Sequence, residues 1–125
     1  MSERILNIKV GEPVEAGLAR AARTMEAIER GETPQAYYGI GFEDISQLFA
    51  VFTPKRWDLL AALRESGPMS IADLARQLKR DYKNVHSDVE KLAEWHAVEK
   101  DDQGRVLAPY SEILVDVRLP EGRVA

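Results

Sequence analysis

The reading turns on Gly67-Pro68-Met69-Ser70-Ile71-Ala72-Asp73-Leu74-Ala75-Arg76-Gln77-Leu78-Lys79-Arg80-Asp81-Tyr82-Lys83-Asn84-Val85-His86-Ser87-Asp88-Val89-Glu90-Lys91-Leu92. Gly67-Pro68 stops whatever helix precedes it. Ser70 is a helix N-cap with Asp73 at the third helical position, a near variant of the capping box. Ile71, Leu74, Ala75 and Leu78 then recur at spacings of three and four, which defines one apolar face. Lys79 and Arg80 close this helix, where cations meet its negative end. Asp81 caps a second helix from Tyr82 to about Trp95, with Val85, Val89 and Leu92 facing inward. Only a few residues around Arg80-Asp81 join the two helices.

Outward from this pair, Thr53-Pro54 is a strong helix start, with Thr as cap and Pro in the first helical position. Trp57, Leu59, Leu60 and Leu63 supply that helix with a core face. Downstream, Val98 to Lys100 reads as a strand, Asp101-Asp102-Gln103-Gly104 as a turn, and Arg105 to Ala108 as the returning strand. Pro109 limits that strand to an edge. Residues 54–108 therefore predict three helices followed by a β-hairpin, which is the order of a winged helix–turn–helix.

Upstream, residues 4–10 read as a strand ended by Gly11, and Pro13 suits the first turn of a helix. Leu18, Ala21, Ala22, Met25 and Ile28 make that helix amphipathic up to about Arg30, with Gly31 as its stop. The segment Tyr37 to Phe42 fits either a short edge strand or an extended linker. Glu43 to Phe52 reads as a short helix. Ile113, Val115 and Val117 alternate with Leu114, Asp116 and Arg118 as a last strand. The strands at 4–10 and 112–118 are short, apolar and otherwise unpaired, so they are expected to pair, within one chain or across a dimer. The expected fold is mainly α with a small β component. It comprises an N-terminal strand–helix extension at 1–45, a winged helix–turn–helix at 46–118 and a frayed tail at 119–125.

The 125 residues suit one domain, and 45% hydrophobic with 30% charged residues is ordinary for a globular chain. Cysteine is absent, which removes disulfides, thiolate metal sites and cysteine nucleophiles. The two histidines stand ten apart, and no HExxH spacing exists. Gly39-Ile40-Gly41-Phe42 lacks the third glycine and following helix of a dinucleotide site. The expectation is a non-enzyme with no catalytic residues, no cofactor and no metal. With no membrane span and no signal peptide in the sequence, a cytoplasmic address is expected. The net charge of −4 argues against a generic nucleic-acid coat. It is unevenly spread. Residues 1–52 hold five Lys/Arg against eight Asp/Glu, and residues 53–100 hold nine against eight. Arg76, Lys79, Arg80 and Lys83 are the one basic concentration.

Three stretches carry a family resemblance: Thr53-Pro54-Lys55-Arg56-Trp57-Asp58-Leu59-Leu60, Gly67 to Ala75, and Arg80 to Leu92. They resemble prokaryotic winged-helix regulators of the broad MarR/ArsR kind, and more specifically a small group of DNA-binding transcriptional regulators often found beside a toxin gene and taken to be antitoxins. The likeness is strong over 53–108 and weaker before Phe42. One departure is His96, where such proteins carry Gly after the third helix. Glycine accepts a positive φ freely, whereas His does so at a cost.

On the second helix of the quoted stretch, Tyr82, Lys83, Asn84, His86 and Ser87 form the outward N-terminal set. Lys suits guanine edges, Asn suits adenine, and Ser adapts to either. Arg80 and Tyr82 suit phosphates, and Ser70 stands at a helix N-terminus that suits another. Gln103 and Arg105 are the wing candidates, although Asp101 and Asp102 repel phosphate. Tyr37, Tyr38 and Phe42 are candidates for a partner surface. Trp57 and Trp95 read as core or dimer-face anchors, His96 as a structural cap, and Asp88 and Glu90 as partners of Lys91 and solvent.

The expected function is a sequence-specific DNA-binding transcriptional regulator, a repressor, that acts as a homodimer on double-stranded operator DNA. The resemblance implies that it also serves as an autoregulating antitoxin. The alternative is a protein-binding antitoxin whose N-terminal segment neutralises a toxin protein, with DNA binding secondary. A third reading places a small-ligand pocket between the N-terminal helix and the winged helix.

Overall fold

The computed structural model describes residues 3–120. The elements are β1 (Arg4–Val10), α1 (Val14–Glu29), β2 (Tyr38–Phe42), α2 (Ile45–Val51), α3 (Pro54–Ser66), α4 (Ile71–Leu78), α5 (Tyr82–Glu94), β3 (Glu99–Lys100), β4 (Val106–Leu107) and β5 (Tyr110–Val117). With five helices and two small sheets among the described residues this is a mixed α/β fold, richer in strand than a mainly α reading. Residues 121–125 of the expected frayed tail lie outside the described residues.

Local chemistry sets the helices. The Thr53 hydroxyl accepts from the Arg56 N–H at 3.3 Å, with Pro54 opening α3. Ser70 accepts from the Asp73 N–H at 3.1 Å, and Asp81 from the Lys83 N–H at 3.1 Å. Asp44 caps α2 by accepting from the Gln47 N–H at 3.0 Å. Helix α5 ends with His96 at φ 61, the left-handed position foreseen for it. There the His96 N–H donates to Ala93 O and the Ala97 N–H to Leu92 O, the paired bonds of a Schellman end.

The larger sheet has the order β2-β1-β5, and both pairings are parallel. The two terminal strands thus pair within one chain, and the Tyr37–Phe42 ambiguity resolves as a strand. In β1 the alternation is clean, with Leu6, Ile8 and Val10 buried against the helices. On the opposite face Lys9 donates to Asp116 at 3.0 Å. Gly11 has φ 74, and a Cβ there would lie 2.7 Å from Arg118 O, so only glycine allows the chain to leave β1 beside β5.

One buried cluster runs through the whole molecule. It joins Leu6, Ile8, Ile40 and Phe42 of the sheet to Leu59, Leu63, Leu74, Val85 and Leu92 of the helices. The first strands therefore share the core of the three helices instead of standing apart from it. Phe42 meets Phe52 at 6.3 Å and Trp95 at 4.8 Å between ring centroids, and Phe52 meets Trp57 at 5.1 Å. Both tryptophans are core neighbours. Helix α1 differs from this pattern: none of its residues is buried, and Val14, Leu18, Met25 and Ile28 are exposed.

The smaller sheet is the antiparallel hairpin β3–β4. Met69, just before α4, exchanges both backbone hydrogen bonds with Val106, at 3.0 and 2.8 Å. This bridge ties the hairpin to the start of α4. No helix among the described residues is long and apolar enough to cross a membrane.

Candidate nucleic-acid interface

Helices α4 and α5 are joined through Lys79, Arg80 and Asp81. Lys79 ends α4 in the left-handed conformation at φ 55, which turns the chain sharply. The Arg80 N–H donates back to Ala75 O at 3.0 Å, and Asp81 then starts α5. With Val85, Val89 and Leu92 buried, the first turns of α5 present Tyr82, Lys83, Asn84, His86 and Ser87, all exposed. The Tyr82 ring lies against His86 at 6.0 Å. His86 Nε2 stands 3.9 Å from Glu90. Among the described residues the side chains of Lys79, Lys83, Asn84 and Ser87 make no hydrogen bond within the chain. Their donors and acceptors point outward on one short helix end.

Arg80 is placed differently from the phosphate contact expected of it. Its side chain is 18% exposed and its Nη2 donates to Asp88 Oδ2 at 2.7 Å. Asp88 Oδ1 accepts from Arg56 Nε at 3.0 Å. Arg56 also donates to the carbonyls of Ala50 and Val51 at the end of α2. One carboxylate thus holds α2, α3, the α4–α5 turn and α5 together, and Arg80 is a structural cation. Asp88 pairs with these arginines instead of with Lys91 and solvent. The sequence carried a signal for this: Asp88 lies three residues after Val85 and four before Leu92, on the core side of α5, where an acid needs a partner.

Ser70 uses its oxygen to cap α4 and is half-buried there. Arg76 is exposed and paired with Asp73. In the hairpin turn, Asp101 accepts from the backbone N–H groups of Gln103 and Arg105 and from Arg105 Nε at 2.8 Å. These bonds, the Arg105 N–H foremost, hold its carboxyl below the usual carboxylate range. The Arg105 cation is therefore neutralised locally, while Gln103, the other wing candidate, is exposed at the tip beside Asp102, its side chain without a hydrogen bond among the described residues. Lys100 donates to Glu90 at 2.6 Å and holds that carboxyl low as well.

The three aromatic candidates for a partner surface separate. Phe42 is buried, so its assignment to an exposed surface is corrected by the packing described above. Tyr38 is half-buried and meets Tyr110 edge-on at 5.7 Å. Only Tyr37 is exposed, with the Arg20 guanidinium 4.8 Å over its ring. An open cleft of about 880 Å³ lies between the start of α1 and β2, lined in part by Lys9, Glu12, Arg20, Tyr37 and Gln47.

The class defined so far is a small mixed α/β protein in which three helices and a hairpin are completed by a parallel sheet drawn from both ends of the chain. The profile of the HVO_A0114 family matches residues 51–115, just over half of the chain, and the chain belongs to that family. The matched part runs from the end of α2 into β5, so it contains the α4–α5 pair and the hairpin. No curated protein and no solved structure matches the chain.

Proposed function

We propose that the chain is a sequence-specific DNA-binding transcriptional regulator, a repressor acting as a dimer. In this reading α3, α4 and α5 with the β3–β4 hairpin form a winged helix–turn–helix. The observation that carries the reading is the unpaired polar set Lys83, Asn84 and Ser87 on the exposed first turns of α5, one short turn after α4. Such a helix end reaches base edges in the major groove, with Lys toward guanine and Asn toward adenine. The Met69–Val106 bridge fits the hairpin as a wing braced against the start of α4. Lys79 adds an exposed cation for a phosphate. With Arg105 held by Asp101, the wing contributes little charge.

The resemblance to antitoxin-type regulators extends this reading to autoregulation. A second reading, a protein-binding antitoxin, is favoured by one observation: the apolar residues Leu18, Met25 and Ile28 of α1 are exposed in the isolated chain.

Binding to the chain's own promoter region, measured by mobility shift across a salt series against a random duplex, tests the first reading. Lys83→Ala and Asn84→Ala are each expected to cost about 1–3 kcal/mol on the promoter and to relax one base position. Equal losses on promoter and random DNA would refute base reading by that residue. No preference for the promoter would refute the regulator and leave the second reading.

A further inference from the structure

Strand β5 ends the parallel sheet on one side, and among the described residues nothing pairs with its outer edge. One hydrogen bond fixes where its free backbone groups point. The Arg118 N–H donates to Val10 O at 2.8 Å, and Val10 is level with Val117. In a parallel ladder this alternation turns the even-numbered residues of β5 toward β1. The N–H and C=O groups of Ile113, Val115 and Val117 therefore face outward. The edge is also apolar, with Leu114, Val115 and Val117 exposed by 48%, 43% and 39%. Edges that stay open in solution are blunted by proline, bulges or charge; residues 112–117 have neither proline nor bulge, and their two charges, Glu112 and Asp116, lie on one face only.

We propose that a second copy of this chain closes the edge, β5 pairing antiparallel with the partner's β5 about a two-fold axis through Val115. The result is one continuous sheet across the dimer. The occupant follows from charge and register. Opposed residues of an antiparallel pair share a face, so a two-fold axis normal to the sheet passes through a residue position. An axis at Leu114 sets Glu112 against the partner's Asp116, twice. An axis at Asp116 sets that carboxylate against itself. An axis at Ile113 brings Pro109, which has no N–H, into the ladder. The axis at Val115 sets Glu112 against the partner's Arg118, twice, on one face. On the other face it aligns Ile113 with the partner's Val117 and Val115 with itself. Glu112 and Arg118 are exposed and make no salt bridge among the described residues, whereas Asp116 is already paired with Lys9. This register also converts the outward groups of Ile113, Val115 and Val117 into about six interchain hydrogen bonds. Each copy presents the same patch to the other, as an isologous interface requires.

The inference rests on the dimeric part of the proposed function and not on DNA binding. It is tested on the full chain by light scattering and sedimentation equilibrium. Glu112→Arg and Arg118→Glu are each expected to weaken dimerisation by about tenfold or more, and the double exchange to restore it. Thermal melting by circular dichroism checks that these exposed substitutions leave the fold intact. Because the chain has no cysteine, single cysteine variants report the register without background. Val115→Cys is expected to form a disulfide-linked dimer under mild oxidation faster than Leu114→Cys. A monomer at about 100 μM would overturn the interface and the dimeric reading together. A dimer indifferent to the charge exchanges, or not restored by the double exchange, would overturn the interface while leaving the dimer. Faster cross-linking at position 114 would overturn the register.

Discussion

Replacing Asp88 with Ala removes the carboxylate shared by Arg56 and Arg80. All three side chains are only 14–18% exposed, so water cannot fully take the place of the lost oxygens. Arg56 keeps the carbonyls of Ala50 and Val51, which limits its loss. Arg80 fares worse: its Nη1 is already buried without a partner among the described residues, and Nη2 would lose Asp88. A hydrogen bond to a charged group contributes about 1.5–3 kcal/mol, and breaking a fully buried pair from one side costs about 3–5 kcal/mol. Edge exposure places this cluster near the lower bound, so Asp88→Ala is expected to cost about 3 kcal/mol. With a urea m-value of about 1.5 kcal/mol/M, the unfolding midpoint falls by about 2 M at pH 7. Far-UV circular dichroism in a urea series measures this directly. Combining Asp88→Ala with Arg80→Ala should cost less than the sum of the two by about 1 kcal/mol, because the cation stranded by the first change is gone. A midpoint shift below about 0.3 M with unchanged slope would refute the bracing role of Asp88.

Other predictions concern the helix end, the wing and the buried tyrosine. His96→Gly relieves a left-handed residue and is expected to raise stability by about 0.5 kcal/mol, after the greater freedom of glycine in the unfolded chain is set against the relief. A lower melting temperature would contradict this. Asp101→Asn keeps an acceptor for the turn while freeing Arg105, so affinity for random duplex at low salt should rise by about two- to fivefold. Unchanged affinity would mean that the wing stays away from DNA. Tyr110 is buried with its hydroxyl donating to His96 O at 3.0 Å, and burial pushes its ionisation above the usual tyrosine range. Its folded-state value is raised, so its contribution is intact below about pH 10 and is lost as pH rises through the folded value. Absorbance at 295 nm should show a tyrosine ionisation above the usual range, and Tyr110→Phe should abolish it.

The helices from Thr53 to Trp95 were legible because their determinants are local. Thr53, Ser70 and Asp81 cap where their side-chain chemistry and the spacing of apolar residues place them. The left-handed position of His96 was indicated by the family resemblance, which places glycine there, and not by the local sequence. The parallel sheet was not, because its registers join residues with most of the chain between them, and two apolar strands do not reveal their order or direction. Helix α1 shows a second limit. Its periodicity established an apolar stripe at Leu18, Met25 and Ile28, but periodicity cannot say whether anything covers the stripe. At the candidate interface, Lys83, Asn84 and Ser87 lie outward as read, since Val85, Val89 and Leu92 orient the helix. Arg80 was misplaced because local basic clustering carries no information about a carboxylate eight residues on and an arginine in another helix.

The order of the parallel sheet also bears on how the chain is made. The central strand β1 is synthesised before the rest of the sheet, yet one of its two neighbours is β5, the last strand in the element order. The Ser111 hydroxyl that donates to Arg4 O reaches across 107 positions. On a ribosome, α3 to α5 are able to form while the β5 side of β1 is still an open backbone edge. The sheet closes only after β5 has emerged. Closure of the sheet therefore waits for synthesis through Val117. Contacts of such long sequence separation slow the final step. A message truncated before Tyr110 yields a chain whose β1 keeps an unpaired backbone edge, a natural substrate for chaperones and proteases.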